Sequence, residues 1–199
     1  MPIVQQFMML LKTQSTSDFI ESMITCFAAP VVAGLKCGGL LKVSRRDPQI
    51  GPTWRRMRHR LARTLALDFA EISVRDDALL LFIYRREAVF AAIACPQVQS
   101  FLRSLGYEGD FDSPDPHIET LVARLKAGMP HEVGIFLGYP LEDVKGFIEN
   151  GGRNSKFAGY WKVYGDEIGA LEKFGAFRRS ETESMCNVLE KAGASPQAA

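Results

Sequence analysis

Phenol, amine, imidazole and carboxylate side chains crowd into two neighbouring stretches, PHEVGIFLGYPLEDVKGFI at Pro130–Ile148 and GYWKVYGD at Gly159–Asp166. If Tyr160-Trp161-Lys162-Val163-Tyr164 is an extended strand, alternation puts Tyr160, Lys162 and Tyr164 on one face and Trp161 and Val163 on the other. A cation flanked by two phenols can hold a small anionic or carbonyl-bearing metabolite, with the lysine as charge and the tyrosines as donors or stacking surfaces. Tyr139 would stand beside them. The same residues equally suit an ordinary sheet edge, with a lysine stem lying across half-buried tyrosines. His131 offers a general base or a metal ligand, with Glu132 to orient it. The alternative is a histidine bonded to a loop and a glutamate paired with an arginine. Lys36 is a third candidate, as an anion holder or a desolvated nucleophile, with Cys26 nearby as a thiol. It can also be a solvated loop lysine next to a packed cysteine.

The elements that position these groups follow from apolar spacing. Val133–Leu137 is a short apolar run with β-branched and aromatic content, which reads as a central strand buried on both faces. Gly138-Tyr139-Pro140 breaks it, and Leu141, Val144, Phe147 and Ile148 then recur at helical spacing up to the Asn150-Gly151-Gly152 stop. Strand, turn and helix in that order place Tyr139 at the carboxyl end of the strand, where open α/β sheets bind ligands. A strand of this length spans about 20 Å, which sets His131 and Glu132 at its far end.

Upstream, Ile3, Phe7, Leu10 and Leu11 mark an amphipathic helix, and Ser15-Thr16-Ser17 caps a second one that Ala29-Pro30 ends. Gly38-Gly39 opens a strand over Leu40–Ser44. Phe69–Val74 and Ala78–Tyr84 flank Arg75-Asp76-Asp77 as a β-hairpin, and the second, nearly all-apolar strand belongs in the sheet interior. Helices are expected over Pro96–Leu105, from Asp115 to Leu125, and from Glu167 to about Phe177. The expectation is an α/β or α+β fold: one domain over residues 1–191, a mixed sheet of about five strands with helices packed on it, and a frayed tail at 192–199.

TWRRMRHRLARTLAL, after Pro52, is the most cationic segment. Trp54, Met57, Leu61 and Leu65 form its apolar stripe, which turns Arg55, Arg56, Arg58 and Arg63 outward. Such a face is either solvated or docks an acidic partner. The whole chain of 199 residues has a formal charge of +1, 47% hydrophobic and 24% charged residues. This balance supplies no global field for nucleic acid. Four cysteines, Cys26, Cys37, Cys95 and Cys186, form no C-x-x-C pair and no zinc ligand set, so no metal is assigned. The apolar runs are too short for a membrane span, and MPIVQQFMMLLKTQ lacks the features of a signal peptide, which points to the cytoplasm. No G-x-S-x-G elbow, G-x-G-x-x-G fingerprint, phosphate loop or H-E-x-x-H helix is present, so neither a reaction nor a cofactor is named.

PHEVGIFLGYPLEDVKGFI followed by GYWKVYGD, with Ala29-Pro30, Ala33-Gly34-Leu35-Lys36 and Phe82-Ile83-Tyr84-Arg85 upstream, resembles an uncharacterised prokaryotic family known as domain of unknown function 3793. The resemblance covers nearly the whole chain and implies no activity, cofactor or substrate. It implies a setting in anaerobic bacteria, and with it a non-enzymatic adaptor of redox or iron metabolism that docks an acidic protein through the Arg55–Arg63 helix. Family members carry a cysteine pair near the C-terminus. Here that region reads Phe177-Arg178-Arg179-Ser180 with only Cys186 beyond it, so the resemblance brings no thiol or metal site to this chain.

Overall fold

The strand ALLLFIY, Ala78–Tyr84, is apolar at nearly every position and therefore needs cover on both faces. In the computed structural model, which describes residues 2–193, it is the middle strand of a three-stranded antiparallel sheet. In chain order the elements begin with helices α1 (Ile3–Thr13) and α2 (Thr16–Val32), strand β1 (Gly38–Ser44) and helix α3 (Ile50–Leu65). Strands β2 (Asp68–Val74) and β3 (Ala78–Tyr84) follow, then helices α4 (Arg86–Ile93), α5 (Pro96–Ser104), α6 (Asp115–Ala127), α7 (Val133–Phe136) and α8 (Leu141–Glu149). A small pair, β4 (Phe157–Ala158) and β5 (Lys162–Val163), precedes the long α9 (Glu167–Lys191).

Side-chain alternation along β3 feeds two apolar clusters. Leu79, Leu81 and Ile83 join Leu41 and Val43 of β1 under α1, α2 and α3. Phe82 joins the cluster built from α4 to α8, and Leu80 and Tyr84 pack against it. A bulge between Glu71 and Ser73 changes the parity of β2, so Ile72 reaches the second cluster while Val74 returns to the first. Before the bulge, Glu71 shares the Phe69 face toward α3, where its Oε1 accepts from Trp54 Nε1 at 2.9 Å and pairs with Arg58 at 2.6 Å. α9 serves both layers: Ala170, Phe174 and Phe177 lie in the second cluster, and Met185 and Val188 pack on the first.

The hairpin, the strand after Gly38 and the helical segments stand where apolar spacing predicts them. The five-stranded mixed sheet does not form; the described strands make a sheet of three and a separate pair of two. Val133–Leu137 is a helical turn rather than a central strand, with Val133, Gly134 and Ile135 N–H groups donating three residues back to Pro130, His131 and Glu132. An apolar run this short carries no period that separates strand from buried helix. This turn is buried from all sides, between α4 and α8. α2 also runs through Pro30 to Val32, because a proline in the last turn of a helix forfeits only one bond. α9 continues unbroken from Glu167 to Lys191. Of the expected tail, residues 194–199 lie outside the described residues.

Candidate functional site

Two turns and one helix face converge at the edge of β1. Past Val32 the chain reverses at Gly34, with φ of 72°, and the N–H groups of Leu35 and Lys36 both reach back to Pro30 O. This sends Lys36 across the top of the second cluster and starts β1 two residues later. Gly138, between α7 and α8, has φ of 87°, and a Cβ there would lie 3.1 Å from both Cys37 N and Cys37 Sγ. Only glycine permits that approach, and it delivers Tyr139 beside Lys36. On α9, Phe174, Phe177 and Glu181 follow at spacings of three and four and present one face.

The Lys36 ammonium lies 5.2 Å from the ring centre of Tyr139, 5.4 Å from Phe177 and 5.9 Å from Tyr160. Among the described residues it donates no hydrogen bond and forms no ion pair. Attraction to three rings and the nearby Glu181 charge are what hold it. Burial lowers its pKa from the usual 10.5 to about 8; Glu181 opposes the shift, and Cys37 adds to that opposition. The phenols are locked. Tyr139 Oη donates to Tyr160 O at 3.3 Å and its ring stacks on Trp161 at 4.9 Å, while Tyr160 Oη donates to Glu181 Oε2 at 2.5 Å. Burial raises the pKa of both, and the Glu181 bond raises that of Tyr160 further. Neither supplies a phenolate at neutral pH, so the titrating group here is the amine. Next to it, a cavity of about 80 Å³ is bounded by Gly138, Tyr139, Asp143, Lys173, Phe174 and Phe177.

The candidates from the sequence divide between two places. Tyr139, Tyr160 and Lys36 come together. Lys162 and Tyr164 lie on the other side of Trp161: Lys162 Nζ donates to Gly152 O and sits 5.8 Å from the Phe147 ring, and Tyr164 Oη donates to Arg153 O at 2.9 Å. With β5 reduced to Lys162–Val163, the single face expected for Tyr160, Lys162 and Tyr164 does not exist. His131 is exposed and leans on the Phe147 ring, centres 5.0 Å apart. Glu132 is buried, pairs with Arg124 Nε at 2.6 Å and accepts from Tyr107 Oη at 3.2 Å, which is the role of a structural anchor. On α3, Arg58 is committed to Glu71, whereas Arg55, Arg56 and Arg63 are exposed. Cys26 is buried against Ser184, and burial pushes its thiol up to about 11, away from reactivity. Among the described residues no three His, Cys, Asp or Glu side chains cluster so as to hold a metal ion.

Phe177 and Glu181 are absent from the residues that the sequence singles out. Their i, i+4 spacing with Phe174 one turn earlier was the available signal, but it reads as ordinary helix amphipathicity until α9 is known to pass over Lys36.

The architecture is a mixed helix-and-strand protein with a three-stranded antiparallel sheet and a ring-enclosed lysine at its edge. The chain belongs to the family described as "Protein of unknown function (DUF3793)", whose model matches residues 24–197 and so spans every residue of this site. No curated protein and no solved structure matches the chain. No described helix is long and apolar enough to cross a membrane.

Proposed function

We propose that the protein binds a small carbonyl-bearing metabolite through the Lys36 amine, with Tyr139, Tyr160 and Phe177 as the walls of the site. The observation that carries this reading is the Lys36 ammonium set against three rings with no hydrogen-bond acceptor among the described residues. An amine with a pKa of about 8 is neutral in roughly one molecule in ten at pH 7, against roughly one in a few thousand for an ordinary lysine. The neutral amine is the nucleophile. Its lone pair adds to the carbonyl carbon, the carbinolamine loses water, and a C=N bond replaces the C=O bond. A dry, aromatic setting favours that loss of water.

Glyoxylate, pyruvate and propanal with cyanoborohydride test this directly, because hydride reduces the imine to a stable secondary amine that peptide mass spectrometry locates. Selective labelling of Lys36, with a rate that rises toward pH 8 and is lost in Lys36→Arg, is expected. Labelling spread over the exposed lysines with Lys36 spared refutes the reading.

A second reading rests on Arg55, Arg56 and Arg63, three exposed guanidinium groups on α3 with no carboxylate partner among the described residues. They suit an acidic protein surface. Reversing all three to Glu abolishes capture of such a partner under this reading and leaves Lys36 labelling unchanged.

A further inference from the structure

We propose that the cavity beside the start of α9 binds a small ammonium group, held by the free carboxylate oxygen of Asp143 and by the rings of Tyr139, Phe174 and Phe177. Asp143 is 3% exposed and lines this cavity. Its Oδ1 accepts two backbone N–H groups, from Tyr164 at 2.7 Å and from Gly165 at 2.9 Å. Its Oδ2 accepts no hydrogen bond and forms no ion pair among the described residues. Asp143 lines the cavity with this oxygen still able to accept, and a cationic donor placed there forms a charge-assisted hydrogen bond with it.

The other charges around the cavity differ in kind from Asp143. Asp166 is exposed and its Oδ1 caps α9 by accepting from Gly169 N at 3.1 Å, and Lys173 is exposed at the rim. Solvent screens both. Lys36 approaches Tyr139 and Phe177, two of the cavity's rings, but does not itself line the cavity. Asp143 is the buried carboxylate that lines the cavity, and the aromatic rings around it complement a cation. The volume of about 80 Å³ is two to three times the ~30 Å³ of a water molecule in the liquid. It admits methylammonium, dimethylammonium or the ammonium end of a larger metabolite. This site shares the Tyr139 and Phe177 rings with the Lys36 site but requires no imine there.

The test is a titration of the ¹⁵N-labelled protein with methylammonium, with methanol as its neutral counterpart and with acetate as the opposite charge. Saturable shifts at the amides of Gly138, Gly169 and Ala170 with methylammonium alone are expected, weakened at least tenfold in Asp143→Asn. That variant keeps the Oδ1 acceptor for Tyr164 and Gly165 and replaces the charged Oδ2 acceptor with an uncharged NH2 group. Equal response to methanol, preference for acetate, absence of saturation, or full binding by a folded Asp143→Asn overturns the proposal. The three probes on the unaltered protein decide it even where the variant fails to fold.

Discussion

Lys36 and Lys162 are both half-buried lysines set against aromatic rings, yet they have opposite chemical situations. Lys162 hands its ammonium to the Gly152 carbonyl, which tethers the Gly151–Asn154 turn to β5. Lys36 has three rings and no acceptor among the described residues. The carbonyl bond adds rigidity at Lys162, whereas burial without an acceptor among the described residues lowers the pKa of Lys36. The first lysine is a fastener, and the second is the one that the proposed function makes a nucleophile. The difference lies in a single carbonyl oxygen, which no feature of either lysine's own sequence neighbourhood reveals.

The sharpest way to break this comparison is labelling with a carbonyl probe and cyanoborohydride in paired variants. Lys36→Met loses the selective label entirely, while Lys162→Met retains it; equal loss in both variants removes the distinction. Next in size is stability. The folded pKa of Lys36 lies below its unfolded value, so between about pH 8 and 10.5 the unfolded chain binds more protons and stability gains from Lys36 as pH rises. Below pH 8 the buried charge is a full cost. Lys36→Met is thus expected to be more stable than the parent at pH 7, with the advantage shrinking from pH 8 to pH 10.5 in denaturant titrations. Comparing the two proteins cancels the tyrosine and cysteine titrations they share. Lys162→Met, by contrast, is destabilised by about 1–2 kcal/mol through loss of a charge-assisted bond. The smallest effect concerns Glu181. Its charge raises the Lys36 pKa, so Glu181→Gln moves the pH at which labelling reaches half its maximum downward, by less than the shift that burial itself produces. A midpoint that stays put separates Glu181 from the amine.

The legibility of the chain falls along the same divide between its two layers. On the α3 face, Trp54, Met57, Leu61 and Leu65 announce a helix and its buried side from spacing alone, and Trp54 is indeed wholly buried. Long amphipathic segments carry several turns of periodic signal, enough to overrule local ambiguity. On the other face the elements are short. Val133–Phe136 is one turn of helix, its apolar content is equally suited to a strand, and contacts with α4 and α8 decide between the two. The strand reading set Tyr139 a strand's length from His131 and Glu132, and a separate strand reading of Tyr160–Tyr164 aligned Tyr160, Lys162 and Tyr164 on a face that β5, only Lys162–Val163, does not provide.

The sequence by itself determined the α3 stripe, the β2–β3 hairpin and the interior place of β3, because these depend on residues near one another along the chain. It also put Lys36, Tyr139 and Tyr160 among the chemically able residues. Tertiary structure alone decided that these three meet, that Lys162 and Tyr164 turn elsewhere, and that Phe177 and Glu181 complete the enclosure. The loop after α2, the Gly138 turn and the face of α9 lie far apart in the chain, and the charge state of an amine depends on what water, rings and carbonyls surround it. That surrounding comes into being only when the three segments pack.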